Sequence, residues 1–290
     1  MEIDKLKLFI VLAEAEHFNR AAGQAHVSAS KLTRVIQQLE SDLNTRLFDR
    51  DNRSVALTHK GREFLEFSRE FVQQWETTKD AMRSGATALS GSLSIYCSVT
   101  ASYSFLFDIL RDFRRDHPGI EITLHTGDPA ASLDRIVAGF EDVAIAARPE
   151  RLAASLAFKS ITESPLVFIA PHDFPPESVS PLPDASWSAM PFIISERGIA
   201  RERLNQWFSR QPFTPTIYAQ VAGHEAIVSM VSLGFGLGLV PRIVLDNSPL
   251  VNQVQLFGYQ PDLQPYDVGI CLLEKRLRSP LVRAFWEQIP

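Results

Sequence analysis

The stretch Val27-Ser28-Ala29-Ser30-Lys31-Leu32-Thr33-Arg34-Val35-Ile36-Gln37-Gln38-Leu39 decides how the chain begins to fold. Ser28 is placed to cap a helix running from 29 to about 43, its hydroxyl accepting a free N–H of the first turn. Leu32, Val35, Ile36 and Leu39 recur at spacings of three and four and so share one apolar face. The opposite face carries Ser30, Lys31, Thr33, Arg34, Gln37 and Gln38. Short hydroxyls, cations and amides near a helix start are the groups that reach base edges and phosphates in a major groove. For any one of these residues an ordinary solvated face is an adequate reading, and the order of the parts around them decides.

Upstream, Ile3, Leu6, Phe9, Ile10 and Ala13 give a first amphipathic helix over about 4–15. Asn19 is read as the N-cap of a short second helix, 20–25, whose first residue, Arg20, faces the same partner as the third helix. Downstream, Arg46 to Thr58 reads as a turn between two short β segments, a wing with Arg50 and Arg53 beside the flanking DNA backbone.

Taken in order, Phe9, Phe18-Asn19-Arg20-Ala21-Ala22, Val27-Ser28, Leu32-Thr33-Arg34, Ile36-Gln37-Gln38-Leu39-Glu40, Leu47-Phe48, Arg50 and Leu57-Thr58-His59-Lys60-Gly61 resemble the winged helix-turn-helix of LysR-type transcriptional regulators. The family commonly has Ser-Gln-Pro-Ala-Leu-Ser-Arg where this chain reads Ser28-Ala29-Ser30-Lys31-Leu32-Thr33-Arg34. A Gln is lost and a Lys gained, so sequence preference rests partly on Ser30 and Lys31, with Lys31 either a base or a phosphate contact. The DNA-facing set is Arg20, Ser28, Ser30, Lys31, Thr33, Arg34, Gln37, Arg50 and Arg53.

From His59 to about Ala86 there is no proline, and Phe64, Ser68, Phe71, Trp75, Thr78 and Met82 alternate at spacings of four and three. This heptad seam predicts a linker helix that dimerises through Phe64, Phe71, Trp75 and Met82, or packs on the chain's own head, or both. The small, Gly-bearing run 84–91 reads as a hinge.

Beyond it strands and helices alternate. Strands are read at 92–99, 120–126, 143–146, 165–170, 191–195, 215–221, 237–240 and 268–273, with helices at 103–115, 130–138, 199–209, 224–233, 241–245 and 281–289. A parallel α/β sheet is expected, in two subdomains of about 92–161 with 268–290, and 162–267. The domain plan is 1–58 for the head, 59–87 for the linker helix and 88–290 for the body. The fold class is thus α/β with an N-terminal all-α winged helix-turn-helix, a long linker helix and a two-lobed body. The same family resemblance implies a periplasmic-binding-protein-like effector domain.

Such clefts hold ligands at the carboxyl ends of strands, where helix starts offer free N–H groups to anions. The corresponding segments are Cys97-Ser98-Val99-Thr100, Thr126-Gly127-Asp128, Ser195-Glu196 and Gly223-His224-Glu225. Effector contacts are assigned to Ser98, Thr100, Thr126, Ser195 and His224. Capping is the rival role for Ser98 and Thr100, and a surface position for His224. Segments such as 89–101, Thr126-Gly127-Asp128, Gly223-His224-Glu225-Ala226 and Ala284-Phe285-Trp286 are similar to family members that govern isoleucine–valine biosynthesis. That similarity implies a small organic acid inducer, acetolactate or acetohydroxybutyrate, and a transcriptional activator.

Composition agrees with this outline. The net charge of −5 splits unevenly: residues 17–62 carry eight Lys or Arg against four acids, whereas 88–290 carry 16 against 21. A basic head suits phosphate and an acidic body avoids it. Cys97 and Cys271 stand far apart without a Cys-x-x-Cys spacing, and none of the seven histidines has a metal-site spacing, so no disulfide, metal or cofactor is expected. Gly234-Phe235-Gly236-Leu237-Gly238 lacks dinucleotide-loop spacing and no catalytic motif occurs, so the chain is not expected to be an enzyme. With no leader or long apolar run, the cytoplasm is the expected location and no membrane is a partner. The expected partners are double-stranded DNA with two-fold-related operator sites, the inducer, and further copies of the chain as dimer or tetramer. RNA polymerase is a further candidate.

Overall fold

The computed structural model describes residues 2–51, 54–83, 89–174 and 182–289, which fall into two compact units, Met1–Thr87 and Ala88–Pro290.

The first unit runs α1 (Ile3–Ala15), α2 (Phe18–Gln24), α3 (Ala29–Asp42), β1 (Phe48–Asp51), β2 (Ser54–Leu57) and α4 (His59–Arg83). Its core joins Phe9 and Leu12 of α1, Leu32, Ile36 and Leu39 of α3, and Leu47 and Phe48 at the wing. The turn between α1 and α2 is made by Glu16 at φ 50, and α2 starts earlier than the sequence suggests. His17 is its N-cap, Nδ1 accepting from the Arg20 N–H at 3.4 Å, so Asn19 lies inside the helix and caps nothing. Ser28 caps α3 as expected, accepting from the Lys31 N–H at 3.2 Å. Glu40 then fixes the approach to the wing, one carboxylate oxygen accepting the Leu47 and Phe48 N–H groups at 2.9 and 3.2 Å. Gly61 lets α4 pass close to that wing, because a Cβ there would lie 2.0 Å from the Leu47 carbonyl oxygen.

In the second unit the first lobe holds β3 (Ser90–Cys97), α5 (Val99–Tyr103), α6 (Phe105–Asp116), β4 (Gly119–Thr126), α7 (Ser132–Val137), β5 (Val143–Ala147) and β6 (Leu156–Ser164). The second lobe holds β7 (Leu166–Pro171), β8 (Pro191–Ser195), α8 (Ile199–Phe208), β9 (Thr216–Val221), α9 (His224–Ser232), β10 (Leu237–Pro241), α10 (Arg242–Asp246) and β11 (Val254–Leu256). The chain returns to the first lobe with β12 (Tyr266–Leu273) and α11 (Pro280–Gln288). The two five-stranded sheets are ordered β4-β3-β5-β12-β6 and β11-β7-β10-β8-β9.

The sheets are mixed, not wholly parallel as the alternation suggested. β12 runs antiparallel to β5 and β6, and β7 antiparallel to β10 and β11. The reason is topological: β6, β7 and β12 adjoin the two passages between lobes, and a chain that leaves one sheet for another reverses direction there. The helix read over 103–115 is α6, Phe105–Asp116, and it is preceded by the short α5, from which it is separated at Ser104 where ψ is −121°. Among the described residues no helix is long and apolar enough to cross a membrane.

Candidate functional site

In the first unit α3 presents its polar face to solvent. Ser30, Lys31, Arg34 and Gln37 are exposed, and the last three make no side-chain hydrogen bond or ion pair among the described residues. Ser28 is engaged as the cap, with the Ser30 hydroxyl 3.1 Å away. Thr33 is half-buried and its hydroxyl donates to the Ala29 carbonyl at 2.9 Å, which ties it to its own helix. Arg20 is exposed and donates to the Ala15 carbonyl. The Arg50 side chain and Arg53 lie outside the described residues.

Along α4 the predicted seam divides. Phe64 packs against Phe9, with ring centroids 5.0 Å apart and the planes tilted by 58°, and Ser68 is fully buried, so the first turns belong to the head's own core. Further along, Phe67, Phe71 and Trp75 stay 47%, 39% and 48% exposed, with Phe67 and Phe71 stacked at 5.9 Å. The Met82 side chain is outside the described residues.

In the second unit a cavity of about 260 Å³ opens between the two lobes. It gathers Ser98 and Thr100 from the end of β3, Ser195 from the end of β8 and His224 from the start of α9, all four of them effector contacts read from the sequence. Thr126 is not brought in: it is exposed at the end of β4 and absent from the lining. Ser98 caps α5, accepting the Ala101 N–H at 3.2 Å. Thr100 is engaged by Glu225.

His224 is 6% exposed and makes no hydrogen bond among the described residues; its ring meets that of Tyr266 at 5.9 Å. Burial pushes its pKa down to about 4, against the smaller opposing pull of Glu225 and Asp128, so the imidazole is neutral. Burial likewise raises the Tyr266 hydroxyl, and pushes the Cys97 and Cys271 thiols up to about 11, so neither cysteine is a thiolate nucleophile. The charged and aromatic residues the sequence reading missed include Asp134, Arg197, Glu202 and Tyr266, which also line the cavity. A signal for Arg197 was present in Glu196-Arg197-Gly198, a charged pair followed by glycine between a strand and a helix.

Residues 3–62 match the profile of the bacterial regulatory helix-turn-helix proteins of the lysR family, and residues 86–290 that of the LysR substrate binding domain. The chain is 43% identical over 294 residues to the HTH-type transcriptional regulator IlvY of Escherichia coli, covering 100% of this chain and 99% of that protein. It is 42% identical over 292 residues to the HTH-type transcriptional activator IlvY of Haemophilus influenzae, covering 100% of each. Among solved structures, full-length CbnR complexed with its target DNA superposes with TM-score 0.65 at 23% identity, over 100% of this chain and 99% of that one. A full-length OxyR variant from Pseudomonas aeruginosa gives 0.68 at 20% identity, over 100% and 94%. These two likenesses bear on the fold alone.

Proposed function

The chain belongs to the LysR family of bacterial transcriptional regulators, and on that premise we propose that it activates genes of isoleucine–valine biosynthesis when acetolactate or acetohydroxybutyrate occupies the cavity of its second unit. The observation that carries the ligand reading is the cavity lining. A neutral His224 without a hydrogen-bond partner among the described residues, the Ser98 and Ser195 hydroxyls and the Arg197 guanidinium offer a hydroxyl, a carbonyl and a carboxylate their complementary groups. At about 260 Å³ the space suits a molecule smaller than a drug-sized ligand.

On the DNA side α3 enters the major groove, with Ser30 and Gln37 toward the bases, Arg34 toward phosphate and Lys31 toward either; Ser28 fixes the start of that helix, and Arg20, Arg50 and Arg53 meet the backbone. Thr33 supports the helix and does not read bases. Copies associate through Phe67, Phe71 and Trp75 of α4, as a dimer or a pair of dimers, and so meet two-fold-related sites. Inducer biases the relation between the two lobes, which the assembly passes to its heads and to RNA polymerase. As a DNA-binding regulator the protein works in the cytoplasm.

Footprinting on the DNA upstream of the protein's own gene, across a salt series with and without acetolactate, tests this. Two protected half-sites, a steep loss with salt and a pattern altered by acetolactate are expected. Protection indifferent to both acids would remove the inducer and pathway while leaving the regulator.

A further inference from the structure

The cavity lining is unbalanced for an acid. Among the described residues Asp128, Asp134 and Glu202 line it with a single cation, Arg197, since burial keeps His224 neutral. An organic anion entering there meets like charge, and the one group able to neutralise it is already paired. Arg197 follows β8 in the second lobe, with Nε 3.3 Å from Asp128 Oδ2 and Nη1 3.9 Å from Asp134 Oδ2, both in the first lobe.

Asp128 is held ready for this pairing. Its Oδ1 accepts the Ala130 N–H at 3.0 Å and its backbone carbonyl accepts the Tyr96 hydroxyl at 3.0 Å. The lobes also touch beside the pair: a Cβ on Gly198, at φ +89°, would lie 2.8 Å from the Ala130 Cβ. Only a residue without a side chain lets the Arg197 loop come this close to the Asp128 loop. The Arg197 side chain is 55% exposed, so the pair is weakly held and readily exchanged. A carboxylate on the ligand is chemically the same acceptor as Asp128, and the planar guanidinium takes it in the same way.

We propose that Arg197 is the receptor for the effector's carboxylate and Asp128 its internal competitor: the Arg197–Asp128 pair fastens the two lobes, and an incoming carboxylate displaces Asp128 and releases them. This rests on reading the cavity as the effector site, and it names the residue that selects an acid over an uncharged analogue. It also gives the ligand a differential interaction with two arrangements of the lobes, without which no ligand shifts an equilibrium.

The test is calorimetric titration of the full-length protein with acetolactate and with acetoin, the uncharged hydroxyketone that lacks the carboxylate. Asp128→Asn, which keeps the Ala130 acceptor but loses the charge, is expected to tighten acetolactate binding by about 2- to 5-fold and leave acetoin unchanged. Arg197→Gln is expected to weaken acetolactate by about 10-fold or more, again without effect on acetoin, with partial rescue by Arg197→Lys. A urea unfolding transition of the second unit like that of the wild-type protein shows that each variant is folded. Unchanged or weaker acetolactate binding by Asp128→Asn would overturn the competitor role, and wild-type affinity in Arg197→Gln the receptor role. If the wild-type protein binds no acetolactate, the inducer reading fails, and the fastening is judged by hydrogen exchange of the ligand-free full-length chain. Faster exchange over 126–136 and 195–203 in both variants supports it, and unchanged exchange overturns it.

Discussion

Glu225 of α9 accepts both the backbone N–H of Thr100, at 2.8 Å, and the Thr100 hydroxyl, at 2.6 Å, through one carboxylate oxygen. A side chain of the second lobe thereby holds the first turn of α5 in the first lobe, and Thr100 is only 2% exposed. Glu225→Ala leaves both donors unpaired in a buried place. The variant is expected to lose about 1–3 kcal/mol of stability in the second unit by urea unfolding, and Glu225→Gln distinctly less, because its carbonyl oxygen still accepts.

Arg34 and Lys31 stand exposed on the polar face of α3 with no ion pair among the described residues. Arg34→Ala is expected to weaken binding to specific and non-specific DNA alike and to flatten the slope of log K against log salt by about 0.9. Lys31→Ala is expected to flatten it equally. A relaxed preference at one base position, found by selecting sites from a random pool, would instead assign Lys31 to base reading.

The parts of this molecule that were legible in the sequence are those whose physics is local. Ser28 caps α3 and Leu32, Ile36 and Leu39 bury one face of it because spacing and a hydroxyl are sufficient signals. Even so, two caps compete before α2, and a reading from composition chose Asn19 where the backbone chose His17. β6 escaped notice for a different reason: at the edge of its sheet Ala157, Phe158, Lys159, Ile161 and Thr162 are all half-buried, so no alternation marks it. At the cavity, hydroxyls near strand ends could be found from the sequence, but the pairing of Arg197 with Asp128 joins residues 69 apart and follows only from the way the lobes meet.

Phe64 and Trp75 lie on one helix and have opposite surroundings, one against Phe9 and the other 48% exposed. Trp75→Ala is expected to raise the dimer dissociation constant by about 10-fold or more in sedimentation experiments while the head melts as before. Phe64→Ala is expected to do the reverse first, lowering the head's stability by about 3 kcal/mol. Equal self-association by Trp75→Ala and the wild-type protein would remove α4 as the contact between copies.

His224 should make the second unit acid-sensitive in a defined window. Its pKa is pushed from 6.5 to about 4 in the folded chain, so between these values the unfolded chain holds the extra proton. Stability from this group is complete above about pH 6.5, falls as the pH drops, and is lost by about pH 4, a change of roughly 3 kcal/mol in all. Glu225 and Asp128 oppose the shift and are already included in its size. Urea midpoints of the second unit at pH 7 and pH 5 measure it. The wild-type protein is expected to lose stability over this interval, and His224→Gln, which fills the same place without titrating, to lose less. Parallel pH profiles for the two would show that folding does not lower the His224 pKa.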